Sequence, residues 1–249
     1  MHTPETPLEQ YISRGGFPPS VLSDEDSHSF EWRIDFIATF LERDLLQFAG
    51  FPPTTMQRLW QMLAHSNGQI LNLSKLGDSL GVSHTTIRNY VDLLEGTFMV
   101  KQIRPWTGNT KKRLVKSPRV YLTDTGITAA LLQLRSFEQI AGHPVFGSLW
   151  ETLVIIHVFE HLPNAKLSFY RSSNGDEIDL LIHHESRTIA VECKASVAPI
   201  LNRTFFNAIE DVKPDKVLIV APVSKGFPIK KNINVVSLSE LIESITDAG

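Results

Sequence analysis

The chain has 249 residues, of which 42% are hydrophobic and 20% charged, and its formal net charge is -3. This composition is typical of a soluble globular protein, and the charge excludes a histone-like polycation but not a local basic face. The single cysteine excludes a disulfide framework, no apolar run reaches the length of a membrane span, and the N-terminus lacks a secretory signal pattern. We therefore expect a cytoplasmic protein with no membrane partner.

Residues 1–50 are predicted to form a linker followed by one helix. Pro, Gly, Ser and acidic residues dominate up to about Asp26, which is typical of a tail or linker. Apolar residues then recur at three- and four-residue spacing from Trp32 to Leu45. This spacing predicts an amphipathic helix that ends near Gly50.

Residues 51–125 are predicted to form a winged helix-turn-helix. A helix over Thr54–His65 is followed by two short helices, which the tripeptide "GVS" joins in a tight turn. Ser83 is placed to cap the second of these helices. Two or three short strands around a basic loop follow, and helix, helix, basic hairpin is the order of a winged helix.

DNA is the partner that this region predicts. Arginine, lysine and small polar side chains on a recognition helix and a wing make base and phosphate contacts. The candidate DNA-binding residues on the second helix and the basic loop are Ser83, His84, Thr85, Arg88, Asn89, Lys111, Lys112, Arg113 and Lys116. The alternative is a packing module that holds proteins together and does not touch DNA.

Residues 126–144 are predicted to be a connector and residues 145–249 a second domain. Its pattern reads helix, three strands, helix, strand, with a further strand and helix appended. Antiparallel strands followed by a crossover helix predict a mixed sheet between helices. The expected fold class of the whole chain is α/β (α+β), with a helical winged helix-turn-helix first and a mixed-sheet domain second.

Acidic side chains recur at corresponding points of two neighbouring strands in this domain. Side chains alternate across a strand, so Glu192 and Lys194 share one face while Cys193 points to the core as a small buried hydrophobe. Asp179 opens the preceding strand, and a turn midway between the two strands brings it roughly opposite Glu192. The alternative for Glu192 and Lys194 is a same-face ion pair on an exposed strand, which contributes little.

A third acid, Glu151, lies in a helix that is apolar on almost every side. A carboxylate there is costly unless it is paired or binds a cation, so we expect it to point into the same cleft as Asp179 and Glu192. Carboxylate oxygens hold Mg²⁺, or Mn²⁺ in its place, and the metal makes a water nucleophilic. A lysine nearby can orient that water or stabilise the transition state.

These residues resemble the signature of the PD-(D/E)xK nuclease superfamily, whose fold has the same order of helices and strands. The resemblance implies that Asp179 and Glu192 are metal ligands together with the Cys193 carbonyl. It implies that Glu151 assists the metal and that Lys194 positions the attacking water. No residue clearly matches the additional polar helix residue that some members carry after this strand.

Longer segments resemble the DUF4143 family over nearly the whole chain. They include "YISRGGFPPSV", "LGVSHTTIRNYVDLLEGTFMV", "KSPRVYLTDTGI", "GSLWETLV" and "VECKAS". In that family the region follows an AAA-type ATPase domain of the AAA_14 class, which implies an ATPase domain as partner. No G-x-x-x-x-G-K-[ST] phosphate loop occurs here, so we expect no Walker-type ATP site, and either a fragment of a longer protein or a gene without its ATPase half.

The sequence thus favours a DNA-directed effector module whose nuclease-like domain cuts or grips the phosphate backbone. The alternative is a non-catalytic DNA-binding or docking module with a vestigial acid cluster. His157 to His161 spells H-x-x-E-H, a zinc protease motif, but Pro163 follows and no acidic helix succeeds it, so we expect no zinc site. His183 and His184 are expected to be exposed at a turn.

Overall fold

The computed structural model describes residues 7–45 and 52–246. The chain divides into two compact units. The first unit comprises Met1–Gln102 and Val120–Thr152, and the second comprises Ile103–Arg119 and Leu153–Gly249. The boundaries therefore fall inside strands and a helix. The segment Ile103–Arg119, which contains a basic loop, belongs to the second unit.

The first unit is mainly helical. Its hydrophobic core is built from fully buried side chains that include Trp60, Leu59, Ile87 and Leu94. Its helices are α1 (Leu8–Arg14), α2 (Pro18–Val21), α3 (Asp26–Thr39) with a π-helical turn over Phe40–Asp44, α4 (Pro53–His65), α5 (Leu73–Leu80), α6 (His84–Gly96), α7 (Thr125–Leu131), α8 (Phe137–Ala141) and the start of α9 (Phe146–His161).

The N-terminal segment expected as a linker instead forms α1 and α2. Arg14 is buried and forms an ion pair with Asp26 at 2.7 Å, and the buried guanidinium of Arg33 donates to the carbonyls of Ser13 and Gly126. These long-range bonds order a stretch whose Gly and Pro content alone indicates a loop. The helix end predicted near Gly50 lies outside the described residues.

The helix-turn-helix follows the sequence closely. Asn72 caps α5 by accepting a hydrogen bond from the backbone N–H of Lys75, and Ser83 caps α6 by accepting from that of Thr86, as predicted. Gly81 between the helices has φ +69°, a left-handed conformation that suits glycine at the end of a helix. The turn is therefore specified by caps on both sides.

Within the described residues, eight strands form a mixed sheet, in the order β2-β1-β3-β4-β5-β6-β8-β7. They are β1 (Val100–Pro105), β2 (Arg119–Leu122), β3 (Lys166–Arg171), β4 (Glu177–His184), β5 (Arg187–Cys193), β6 (Lys216–Val220), β7 (Phe227–Lys230) and β8 (Ile233–Val236). Helix α10 (Arg203–Val212) follows β5, and α11 (Leu238–Thr246) follows β8. The predicted order of the second domain is confirmed, with β7 as an addition.

The sheet of the second unit has antiparallel strands at one side and parallel strands at the other. β3, β4 and β5 are antiparallel neighbours, whereas β5, β6 and β8 run parallel. Phe205 and Ala208 of α10 pack with Ala190 of β5 and Ile219 of β6 in one hydrophobic core. The same core includes Ile178 and Leu181 of β4, so α10 covers one face of β4, β5 and β6. No helix within the described residues is both long and apolar enough to cross a membrane.

The basic loop predicted as a wing belongs to the second unit. The N–H of Trp106 donates to the Phe169 carbonyl, that of Val115 to the Arg171 carbonyl, and Leu114 forms a bridge with Ser172. The loop thus lies along β3 and extends the sheet of the second unit. The wing interpretation treated it as part of the helix-turn-helix because the two are adjacent in sequence.

Candidate functional site

Asp179 and Glu192 lie opposite each other on adjacent antiparallel strands. The register pairs Leu180 of β4 with Val191 of β5, so the next residues outward are Asp179 and Glu192. Directly opposed residues of an antiparallel pair project to the same face. The Oδ2 atom of Asp179 also accepts a hydrogen bond from the N–H of Cys193 at 3.0 Å. The strand alternation predicted from the sequence therefore brings these two carboxylates together.

Lys194 joins the same group through Glu192. The Nζ atom of Lys194 lies 2.8 Å from Oε1 of Glu192. Glu192 is only 6% exposed, because β5 lies between β4 and β6 in the sheet. The alternative of an ion pair on an exposed strand is therefore wrong about exposure. Burial acts to lower the pKa of Lys194, but the charges of Glu192 and Asp179 outweigh it and the pKa is raised. Lys194 is accordingly a persistent cation.

Arg119 is a second cation in this group that the sequence did not single out. Its side chain is 5% exposed, forms an ion pair with Glu177, and has Nη1 at 3.5 Å from Oδ1 of Asp179. Its guanidinium lies over the ring of Phe169, 4.9 Å from the ring centre. Glu177 and Asp179 are two residues apart on β4 and therefore share one face, so this acidic pair was the available signal. No local feature of the sequence near Arg119 points to this role.

The two carboxylates suit a hard divalent cation. Mg²⁺ in proteins often binds through one or two carboxylates plus substrate phosphate, and Asp179 and Glu192 present two oxygen donors on one face. Among the described residues, no group of three or more His, Cys, Asp or Glu side chains has the arrangement of a metal site. The residues present therefore fit a site of two carboxylates that is completed by other ligands, such as phosphate and water.

Glu151 belongs to the first unit, where a tyrosine holds it. The hydroxyl of Tyr121, a fully buried residue, donates to Oε1 of Glu151. A polar partner offsets the cost of placing a carboxylate in an apolar helix. The convergence of Glu151 with Asp179 and Glu192 in one cleft stays a prediction.

Lys112 is engaged in a network within the second unit. Its ammonium lies 2.9 Å from Asp176 and 2.6 Å from Asp211. Asn207 also donates to Asp176, and the Tyr170 hydroxyl donates to Asp211. The hydrogen bond from Asn207, followed by that from Lys112, lowers the pKa of Asp176. Burial and then the hydrogen bond to Asp211 raise the pKa of Tyr170 to about 12.

The other predicted DNA-binding residues are open to solvent. On the basic loop, Lys111, Arg113 and Lys116 are exposed and belong to the second unit. The exposed residues at the start of α6, in the first unit, are Ser83, His84, Thr85, Arg88 and Asn89. Exposed cations therefore lie in both units, whereas the charge of Lys112 is used within the second unit.

The remaining candidates have structural partners. Nδ1 of His157 bonds the Leu153 carbonyl and Nδ1 of His161 bonds the His157 carbonyl, both at 2.8 Å. His183 lies within β4 rather than at an exposed turn and bonds the hydroxyls of Ser168 and Thr188. Burial, with the charge of Lys166, lowers its pKa. Cys193 is half-buried, not fully buried as expected, because it is the last residue of β5.

Comparison with known proteins gives two family matches. Residues 5–138 match the domain of unknown function DUF8612, and residues 146–241 match the domain of unknown function DUF4143. The predicted resemblance to DUF4143 is thus confirmed for the second half. Its extension over nearly the whole chain is corrected, because the first half matches a different family.

The relatives come from bacteria and an archaeon. Uncharacterized proteins of Mycobacterium tuberculosis and Mycobacterium bovis are each 34% identical over 230 residues, 92% of this chain and 52% of the relative. An uncharacterized protein of Methanocaldococcus jannaschii is 21% identical over 220 residues, 87% of this chain and 45% of the relative. The chain spans about half the length of these relatives.

Proposed function

We propose that this chain, which belongs to the DUF8612 family and matches DUF4143 over residues 146–241, is a DNA-directed effector module with a metal-dependent phosphodiester site in the second unit. The single observation that carries the proposal is the opposition of Asp179 and Glu192 on β4 and β5, with Lys194 bonded to Glu192. Two carboxylates and a fixed cation on one sheet face match the chemistry of the PD-(D/E)xK signature.

Each residue has a distinct role in this proposal. Asp179 and Glu192 would hold Mg²⁺ or Mn²⁺, which supplies a nucleophilic water and neutralises charge on the phosphate. Lys194 keeps its positive charge and stabilises the negative charge that develops on the phosphoryl oxygens. Glu151 is proposed to assist, with Tyr121 holding its carboxylate.

The test is cleavage of supercoiled plasmid DNA with Mg²⁺ or Mn²⁺. We expect nicking by the wild type, none with chelator, and a loss of about a hundredfold or more in Asp179→Asn and in Lys194→Ala. Ser196→Ala, at an exposed position after the same strand, is the matched control and should keep the wild-type rate. Equal nicking by all variants, or none by the wild type, would contradict the proposal.

A second function, non-catalytic DNA binding or docking, is favoured by one observation. Asp179 and Glu192 each have a cation of the chain itself as partner, Arg119 and Lys194. Fixed ion pairs can hold a fold together without chemistry. This function predicts no nicking with any divalent metal and the same duplex affinity in Asp179→Asn as in the wild type, measured by fluorescence anisotropy with both proteins shown to be folded.

The proposal also names two partners, DNA and an AAA-type ATPase domain, and a cytoplasmic location. The exposed cations Arg88, Lys111, Arg113 and Lys116 support contact with phosphates. The AAA-type ATPase partner is supported by the family resemblance, since the chain has no phosphate loop of its own. A cytoplasmic location suits the thiol of Cys193, the single cysteine.

A further inference from the structure

Arg119 lies beside Asp179, with its Nη1 atom 3.5 Å from Oδ1 of that acid. Its guanidinium is almost fully buried, reaches both acids of β4, and is held over the ring of Phe169. A buried arginine cannot lose its proton to relieve charge, so its positive charge is permanent. The positive charge of Arg119 therefore faces Asp179 as well as Glu177.

We infer that Arg119 is an internal counter-cation that competes with a divalent metal ion for Asp179 and so keeps metal affinity low. The inference rests on the proposed function only in requiring that Asp179 and Glu192 attract a divalent cation. A charge of one unit near Asp179 repels a doubly charged ion, and burial weakens the screening of that repulsion.

Arg171 provides a matched control. It lies on β3 and pairs with Glu177 at 3.1 Å, as Arg119 does, but its side chain is 39% exposed and the acid it pairs with is Glu177 rather than Asp179. Replacing either arginine removes one of the two cations that pair with Glu177. Of these two replacements, that of Arg119 also removes a cation beside Asp179.

The experiment measures Mn²⁺ binding by isothermal titration calorimetry on the full chain. Arg119→Gln should bind Mn²⁺ about tenfold or more tightly than the wild type. Arg171→Gln should stay within about twofold, because an exposed charge is screened by solvent and salt. A folded Arg119→Gln with unchanged or weaker Mn²⁺ affinity, or an equal gain in Arg171→Gln, would overturn the inference.

Thermal melts cover the case in which Arg119→Gln is unstable. Asp179 loses this cation, so the variant should melt at a lower temperature without metal and recover most of that loss with Mn²⁺, more than the wild type gains. Failure to fold both with and without Mn²⁺ would contradict the inference. Cleavage by the wild type without an affinity gain in Arg119→Gln would refute the inference alone. An affinity gain without cleavage would refute the catalytic proposal alone.

Discussion

At the scale of single residues, alternation along a strand was sufficient to predict the central pair. Asp179 and Glu192 are close in sequence and joined by one turn, so their opposition follows from the pattern. Cations that come from distant segments of the chain were harder to predict. Arg119 is 60 residues from Asp179 and Lys112 is 64 from Asp176, and such pairs depend on how distant segments pack. The sequence indicated Lys112 as a DNA contact, while the structure shows its charge used between two aspartates.

Lys112 and Lys111 should therefore behave differently when each is replaced by alanine. Lys112→Ala removes the partner of the buried Asp176 and of Asp211, and should lower the melting temperature by several degrees. Lys111→Ala removes an exposed charge and should leave it nearly unchanged. Differential scanning fluorimetry measures both. Equal melting temperatures for the two variants would show that the Lys112 network does not stabilise the fold.

Asp176 should contribute to the loss of stability in acid. Its pKa is lowered by Asn207 and Lys112, so the folded protein holds the carboxylate charged at a pH where the unfolded chain takes up a proton. The stabilisation is complete above the ordinary aspartate pKa of about 4 and is lost as the pH falls through the lower folded value. Melting temperatures from pH 7 down into this range should fall less steeply in Asp176→Asn than in the wild type. The same slope in both proteins would argue against this role.

At the scale of elements, the strongly periodic segments were predicted and the short N-terminal helices were not. α5, α6 and α9 carry caps or apolar patterns that are visible locally. α1 and α2 instead depend on α7, whose N-cap Asp124 accepts hydrogen bonds from Ile127 N–H and from Gly16 N–H. The bond to Gly16 joins residues more than a hundred positions apart and leaves no periodic signal.

Gly126 marks the packing of α1 on α7 and gives a stability prediction. A Cβ at Gly126 would lie 2.2 Å from the backbone oxygen of Arg14, and backbone cannot rotate away as a side chain can. Gly126→Ala should cost about 1–3 kcal/mol or more in free energy of unfolding. Gly96→Ala is the control, since a Cβ there meets nothing within 4 Å, and it should be neutral or stabilising. Urea denaturation measures both, and an equally stable Gly126→Ala would show that α1 does not pack closely on α7.

At the scale of the whole molecule, the α/β fold class and the order of strands and helices followed from the sequence. The assignment of the basic loop did not, because adjacency in sequence suggested a wing while hydrogen bonds to β3 place the loop with the second unit. The loop continues along β3, beside which β1 already lies, and this pairing joins segments distant in sequence that no local pattern reveals.

DNA binding should consequently depend on exposed residues of both units. Arg88→Ala, and separately Lys111, Arg113 and Lys116 replaced together by alanine, should each weaken duplex binding. The slope of log affinity against log salt should fall by roughly 0.9 for each phosphate that a variant no longer neutralises. Fluorescence anisotropy over a salt series measures this, with Lys112→Ala as the folded control that should keep the slope. Unchanged slopes in both groups of variants would contradict DNA contact through these surfaces.

The central claim is that Asp179 and Glu192 act together as one cation-dependent site on DNA. A double-mutant cycle on the rate of Mn²⁺-dependent plasmid nicking tests it most directly, with wild type, Asp179→Asn, Glu192→Gln and the double variant, all shown to be folded. Residues that act as a unit are not additive, so the double variant should nick no more slowly than the slower single variant. A reduction in the double variant equal to the product of the two single reductions, or the absence of metal-dependent nicking by the wild type, would contradict the claim.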